Sequence, residues 1–377
     1  MWNIIVLSTL LLSALATWVI IPKIILISYK KKLFDYNDGR KIHTGEVPRL
    51  GGVSFTPAII ISLALATGIA TFASGSGSLA GGLGVQPSMG LALCSLLLLY
   101  LEGLTDDLVG VGYKAKFAMQ AVCACMIVAS GVWIDNLYGL FGIHALPKAV
   151  GMPLTVVVIV YVINAVNLID GIDGLASGLS IIALFFLGCL FMRSGIHAYT
   201  AIAFAALGTL LPFFYFNVFG SAERRRKIFM GDCGSQTIGL VLGTLVVKLS
   251  MSGSGQTGES VGIPNALVVA FSLIIIPCLD VIRVMIHRLR HGKNPFLPDM
   301  NHIHHKFLAL GMSHHTAMIV ILAIASFFAL LNLSLTFVAG INLILVIDIA
   351  LWCFLHLWIS AIIKKNGNKL EPNNRDI

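Results

Sequence analysis

The sequence predicts an all-α polytopic membrane protein, a bundle of about eleven transmembrane helices. Three observations carry that expectation. Hydrophobic residues make up 57% of the 377 and charged residues only 11%, against about 25% charged in a soluble domain. The apolar residues fall into runs near the roughly 20 residues that cross hydrocarbon. Lys and Arg gather in alternate loops. The length suits one membrane domain over 1–377 and leaves no room for a large soluble one. A net charge of +8 reports topology and anionic ligands in such a protein rather than nucleic acid. The seven cysteines lie mostly inside apolar runs without metal-like spacing, so they read as small apolar residues or reduced thiols.

In chain order the candidate spans lie near 3–28, 51–72, 86–104, 117–134, 152–168, 175–192, 196–216, 235–250, 264–283, 316–338 and 341–363. The first lacks a basic leader and a small-residue cleavage site and is followed by Lys30-Lys31-Lys32. It reads as an uncleaved span with its N-terminus outside. Alternation then puts 29–50, 105–116, 164–174, 217–234, 284–315 and the tail after 363 in the cytoplasm. These segments, counted from Arg283, hold all of the 25 Lys and Arg except Lys23, Lys148, Arg193 and Lys248, as the positive-inside rule requires. The opposite loops are short, rich in Gly and Ser at 74–78 and 252–255, and carry no evident chemistry. Pro277 is expected to kink the ninth span or end its regular part just before Asp280. Asp348 is the acid placed mid-span, where it must be paired or face another subunit.

The cytoplasmic segments carry the chemistry. The first holds Lys41, His43 and Arg49 with Gly51-Gly52, basic residues suited to phosphate beside glycines that let backbone approach a ligand. A basic anchoring loop would look similar. The second opens with Asp106-Asp107 and runs through Lys114 and Lys116. Adjacent carboxylates are a common metal or acid–base device, although one of them could cap a helix. The third is Asn164-Ala165-Val166-Asn167-Leu168-Ile169-Asp170-Gly171-Ile172-Asp173-Gly174, with Asp170 and Asp173 on one face of a helical turn. The fourth has Asn217, the run Arg224 to Lys227, and Asp232 between glycines. The basic run alone reads as a solvated face. The fifth, the histidine-containing loop over 284–315, follows Asp280 and Arg283 and includes Asp299, His302, His304 and His305. That histidine spacing matches neither a zinc finger nor the paired helical zinc motif. Carboxylates with amide oxygens suit Mg²⁺, with Mn²⁺ as the alternative. Arg, Lys and His around them suit phosphate or pyrophosphate oxygens. A metal, cations and a membrane face together point to phosphoryl chemistry on one soluble and one lipid substrate.

Five pieces occur in order: H-x4-P-R-x-G-G from His43, the Asp106-Asp107 pair, N-x2-N-L-x-D-G-x-D-G from Asn164, F-M-G-D-x-G-S from Phe229, and D-x2-H-x-H-H from Asp299. Together they make the whole chain resemble the polyprenyl-phosphate N-acetylhexosamine-1-phosphate transferases, in the bacterial GlcNAc-1-phosphate branch. The phospho-MurNAc-pentapeptide transferases are relatives. The resemblance implies transfer of a sugar-1-phosphate from a UDP-N-acetylhexosamine to undecaprenyl phosphate, with release of UMP, on the cytoplasmic face of a bacterial inner membrane. It implies Mg²⁺ with Asp232 as main ligand and Asp107 beside it. Asp106 and Asp107 would orient or activate the lipid phosphate, and Asp170 and Asp173 would serve the uridine or the metal shell. His302, His304 and His305 would hold the pyrophosphate. Membrane lipid surrounds the protein, and a homodimer is an open expectation. Tyr113 departs from the family, which often has proline there. Rival classes fit less well: motifs of CDP-alcohol phosphatidyltransferases and intramembrane metalloproteases are absent, and a secondary transporter would carry its ionisable residues at the bilayer midplane.

Overall fold

The computed structural model describes residues 2–34, 47–74, 87–253, 261–292 and 302–370. Lys41, His43 and Asp299 lie outside the described residues. Long apolar stretches close their backbone hydrogen bonds internally as helices, since hydrocarbon offers no other partner. In order they are α1 (Trp2–Lys31), α2 (Phe55–Ser74), α3 (Pro87–Val109), α4 (Tyr113–Ala129), α5 (Lys148–Ile169), α6 (Leu175–Arg193), α7 (His197–Val218), α8 (Gly231–Ser250), α9 (Ala266–Ser272), α10 (Ile275–Arg290), α11 (Ile303–Ala309), α12 (His314–Leu335) and α13 (Ile341–Leu370). A 3-10 turn, Gly51–Ser54, leads into α2. Among the described residues, nine helices are long and apolar enough to cross a membrane. Counting the bent α9–α10 pair as one span gives ten, one fewer than the eleven expected; α4, with 17 residues, lies over the remaining expected span and falls short of that length.

The bend falls elsewhere than Pro277 itself. The break lies at Leu273–Ile274, where α9 and α10 meet at 78°. Pro277 sits in the first turn of α10, where its missing N–H costs nothing, and regular helix continues past Asp280 to Arg290. A proline cannot donate to the carbonyl four residues back, so the interruption appears one turn upstream.

α8 is the axis of the bundle. Nearly every residue from Cys233 to Ser250 is buried, and the helix packs against α3, α5, α6 and α9. α1 lies along α7 and α2. Close packing is permitted by small residues: a side chain at Gly103 would press into the Cys233 backbone, and one at Gly239 into Ile163, as small residues permit between membrane helices. At the end opposite the carboxylates an antiparallel hairpin joins Asn136–Leu140 to Ile143–Ala145, pairing Asn136 with Ala145 and Leu140 with Ile143. Asn342 clamps it, accepting from Phe141 N at 2.9 Å and donating to Gly139 O at 3.0 Å.

Two buried charges in the spans are accommodated differently. Asp348 is 2% exposed and accepts from Asn332 Nδ2 at 2.9 Å, so it is paired within the chain. Lys248 lies in the last turn of α8 and is 1% exposed. Its ammonium stands 5.0 Å from the Tyr199 ring centroid, a geometry that suits a desolvated cation.

Candidate active site

Six helix ends meet at one end of the bundle: the C-termini of α3, α5 and α7 and the N-termini of α4, α6 and α8. The turn at Gly51–Ser54 completes the rim. Its backbone pairs with the segment before α8: Phe229 N donates to Pro48 O, Gly51 N to Phe229 O, and Gly52 N to Met230 O, at 2.8 to 2.9 Å. A side chain at Gly52 would collide with the Gly234 backbone. Gly51-Gly52 therefore permits contact between chain segments, and not the approach of a ligand expected from sequence.

Asp107 caps α8 from a different helix. Its Oδ1 accepts from Asp232 N at 2.8 Å and its Oδ2 from Cys233 N at 3.0 Å. Unpaired N–H groups at a helix start need such acceptors, and the dipole favours negative charge there. Gly231 makes this possible: its φ is +74°, and a side chain would meet Arg49 O and the Asp107 carboxylate. Asp106 accepts from Val111 N at 2.7 Å and is ion-paired to Lys116. Lys116 also lies 3.7 Å from Asp232. Lys114 is exposed and takes no part in these pairs.

Asp232 is more open than Asp106, with its side chain 33% exposed against 5%. Its Oδ1 accepts from Asn167 Nδ2 at 2.6 Å, and Asn167 also donates to Ser235 Oγ at 2.8 Å. Asn164 points away, donating to Gln120 Oε1 at 2.6 Å; Gln120 in turn donates to Gln236 Oε1 at 3.0 Å. Asp170 ends α5. It is open to solvent yet has protein on its other sides. That surrounding protein, with Asp173 and Asp232 nearby, pushes its carboxyl above the usual carboxylate range, and Arg49 opposes the push. Burial draws the Arg49 guanidinium down from its ordinary value, while Asp232, Asp107, Asp170 and Asp106 counter that pull. Asp173 is ion-paired to Lys227 at 2.6 Å, so the last member of the basic run belongs to the site. Five carboxylates thus face three cations, Arg49, Lys116 and Lys227, a formal excess of two negative charges.

Several expected ligand contacts turn out to be internal. Asn217 is 5% exposed, accepts from Gly174 N at 2.7 Å and donates to Ile228 O at 2.9 Å. It braces two loops, and its burial keeps it from the open face of the site. Asp280 is fully buried and accepts from His302 Nδ1 at 2.8 Å, Ile303 N at 3.0 Å and Arg283 at 2.8 Å. Asp280 and Arg283 therefore anchor the histidine segment from behind. His304 packs its ring on Gly171, which docks that segment onto the central stretch. Burial, with His305 and His302 beside it, pushes the His304 imidazole down to about 3, so this ring is neutral at physiological pH and not a cation. The His305 ring lies 4.2 Å from it, tilted by 45°, and remains partly exposed.

The donor set fits a hard divalent cation. Asp232, open and flanked by Asn167, offers oxygens where negative charge is in excess. No three carboxylate, imidazole or thiolate groups converge at ligating distance among the described residues. Mg²⁺ asks for little more, because it usually takes one or two protein carboxylates with water and substrate phosphate. Sequence reasoning missed Glu102, which lies one helical turn before Asp106 in α3; the i, i+4 spacing was the available signal. It also missed the Gln120–Gln236 pair, for which spacing offers no clue.

The glycosyl transferase family 4 description matches residues 89–250. A probable undecaprenyl-phosphate N-acetylglucosaminyl 1-phosphate transferase of Bacillus subtilis is 30% identical over 325 residues, covering 85% of this chain and 82% of that protein. The undecaprenyl-phosphate alpha-N-acetylglucosaminyl 1-phosphate transferase of Yersinia pestis is 27% identical over 81% of this chain and 78% of its own. Its Escherichia coli counterpart is 28% identical over 80% and 76%. Motifs, architecture and relatives agree: this chain is a member of glycosyl transferase family 4.

Proposed function

We propose that the protein transfers GlcNAc-1-phosphate from UDP-GlcNAc to undecaprenyl phosphate and releases UMP, on the cytoplasmic face of a bacterial inner membrane. The product would open synthesis of a cell-surface polysaccharide such as O-antigen lipopolysaccharide or teichoic acid. The activities for which the relatives are named support the substrates. The observation that carries the chemistry is the open Asp232 carboxylate in a cluster with two surplus negative charges. Asp232 and Asn167 would hold Mg²⁺, with Asp107 fixing the Asp232 backbone. Bound there, Mg²⁺ supplies neutralisation of the pyrophosphate charge.

A phosphate oxygen of the lipid attacks the β-phosphorus, and the bond to UMP breaks. No base is required, because the second pKa of a phosphate monoester is about 6 and the attacking group is already largely dianionic. Both oxygens of Asp107 are held by N–H groups, and Asp106 is tied to Lys116 and Val111. Neither is poised as a nucleophile, which favours direct transfer over a covalent aspartyl intermediate. Arg49, His302 and His305 would bind pyrophosphate oxygens.

Purified protein given UDP-GlcNAc, undecaprenyl phosphate and Mg²⁺ should release UMP, and omission of any one should stop it. Turnover of UDP-MurNAc-pentapeptide instead would assign the peptidoglycan reaction. For orientation, single cysteines at Ser221 and His144 in a background without Cys94, Cys125 and Cys353, which are exposed, should label from the cytoplasm and the outside respectively. The opposite pattern overturns the proposed sidedness.

A further inference from the structure

Glu102 lies inside α3, beside the close crossing of α3 and α8 at Gly103 and Cys233. Both of its carboxylate oxygens are buried. The side chain that meets them is Gln236, itself 1% exposed, whose neutral amide faces the carboxylate. Gln236 cannot swing away, because its oxygen is held by Gln120, which is held by Asn164. Burying a carboxylate against a neutral amide without a cation is costly, so Glu102 is placed to take a cation that comes within reach.

The group that fits is a neighbouring ammonium. Lys116 is paired with Asp106, lies 3.7 Å from Asp232, and is also drawn by Glu102. Glu102 and Asp106 are four residues apart on one helix face, so their side chains are about 5–6 Å apart. The flexible four-carbon stem of lysine spans such a distance. A divalent cation held at Asp232 repels an ammonium 3.7 Å away. Lys116 must then move, and Glu102 offers it a negative charge that solvent does not.

We infer that Glu102 is a positioning residue that receives the Lys116 ammonium when a divalent cation is held at Asp232. The metal thus takes the place of Lys116 beside Asp232 while the lysine stays within the cluster, so the surplus negative charge is offset without loss of that cation, and metal binding is coupled to breaking of the Asp106 ion pair. The inference rests on the metal reading of Asp232 given above.

The test is Mn²⁺ binding to the purified full-length protein in detergent without substrates, read by the free-ion electron paramagnetic resonance signal. Glu102→Gln should weaken Mn²⁺ binding about 10-fold, the size of one charge-assisted hydrogen bond. Glu102→Asp, which keeps the charge, should recover most of it and guards against misfolding. Lys116→Met should tighten Mn²⁺ binding, and in that background Glu102→Gln should have no further effect. An equal loss with and without Lys116 means that Glu102 acts on the metal directly and overturns the exchange, as does no loss at all. Unchanged Mn²⁺ binding in Asp232→Asn would instead sink the metal reading itself.

Discussion

Two acidic clusters lie close together in this protein and are built differently. Around Asp232, five carboxylates meet three cations, and the central one is a third exposed. Around Asp280, one carboxylate with no exposure is saturated by Arg283, His302 and a backbone N–H. The first has charge left over and an open face, so it can take a cation and a phosphate. The second is closed and balanced, so it can only hold its parts in place. The same residue type, at the same end of the membrane, serves reception in one cluster and anchorage in the other. Charge balance and access separate the two roles.

The sharpest way to break this contrast is Asp232→Asn. Shape and the Asn167 contact survive, but the charge is gone, and turnover measured by UMP release should fall about 1,000-fold or more. The melting temperature should scarcely move, because the side chain is partly solvated. Wild-type turnover in Mg²⁺ would dissolve the reception role.

Asp280→Ala should do the reverse. It strands Arg283 and His302 beside an empty buried position, and breaking a buried pair in this way costs about 3–5 kcal/mol. Thermal unfolding in detergent should show a large drop, with activity lost as a consequence. If Asp280→Ala proves as stable as Asp232→Asn, the anchorage role fails.

His302 joins the two clusters, since its Nδ1 is fixed by Asp280 and its other nitrogen remains for a ligand. Replacing it with alanine should lower kcat/KM for the UDP-sugar about 10- to 150-fold, the loss of one hydrogen bond to a charged group. Elemental analysis of the wild-type protein should find no stoichiometric zinc. One zinc per chain with unchanged nucleotide affinity in the variant would make the segment a structural metal site.

The smallest effect concerns pH. With the His304 imidazole pushed down to about 3 by burial, the folded protein keeps this ring neutral where the unfolded chain protonates it. Above about pH 6.5 both states are neutral and the contribution to stability is complete. As pH falls below that value the unfolded state binds the extra proton, and stability declines by at most about 1.4 kcal/mol per pH unit from this group. Denaturation midpoints at pH 7 and pH 5 should diverge less in His304→Phe than in wild type; an unaltered difference would show that the ring is not the source.

Much of this was legible before any coordinates, and the reason is locality. An apolar run of about 20 residues becomes a spanning helix whatever its neighbours do, and a bias in Lys and Arg orients it by the charge of nearby loops. The carboxylates gathered at helix ends were visible for the same reason, since acids are excluded from hydrocarbon. What the motifs could not reveal is which acid faces which partner. Asp107 and Asp232 are 125 residues apart, and only the crossing of α3 with α8 turns one member of an Asp pair into a helix cap. Asn217 and Asp280 were read as ligand contacts because amides and carboxylates at a membrane boundary look alike in sequence; burial by packed neighbours made them braces. Glu102 went unnoticed because an acid one turn inside a span has no meaning until Gln236 and Lys116 are brought beside it. The sequence alone determined the membrane class and the loops that gather the charged residues, which depend on short-range hydrophobicity and charge. Only the tertiary structure decided which of those charges are balanced, because balance is set by distances between side chains that helix packing alone defines.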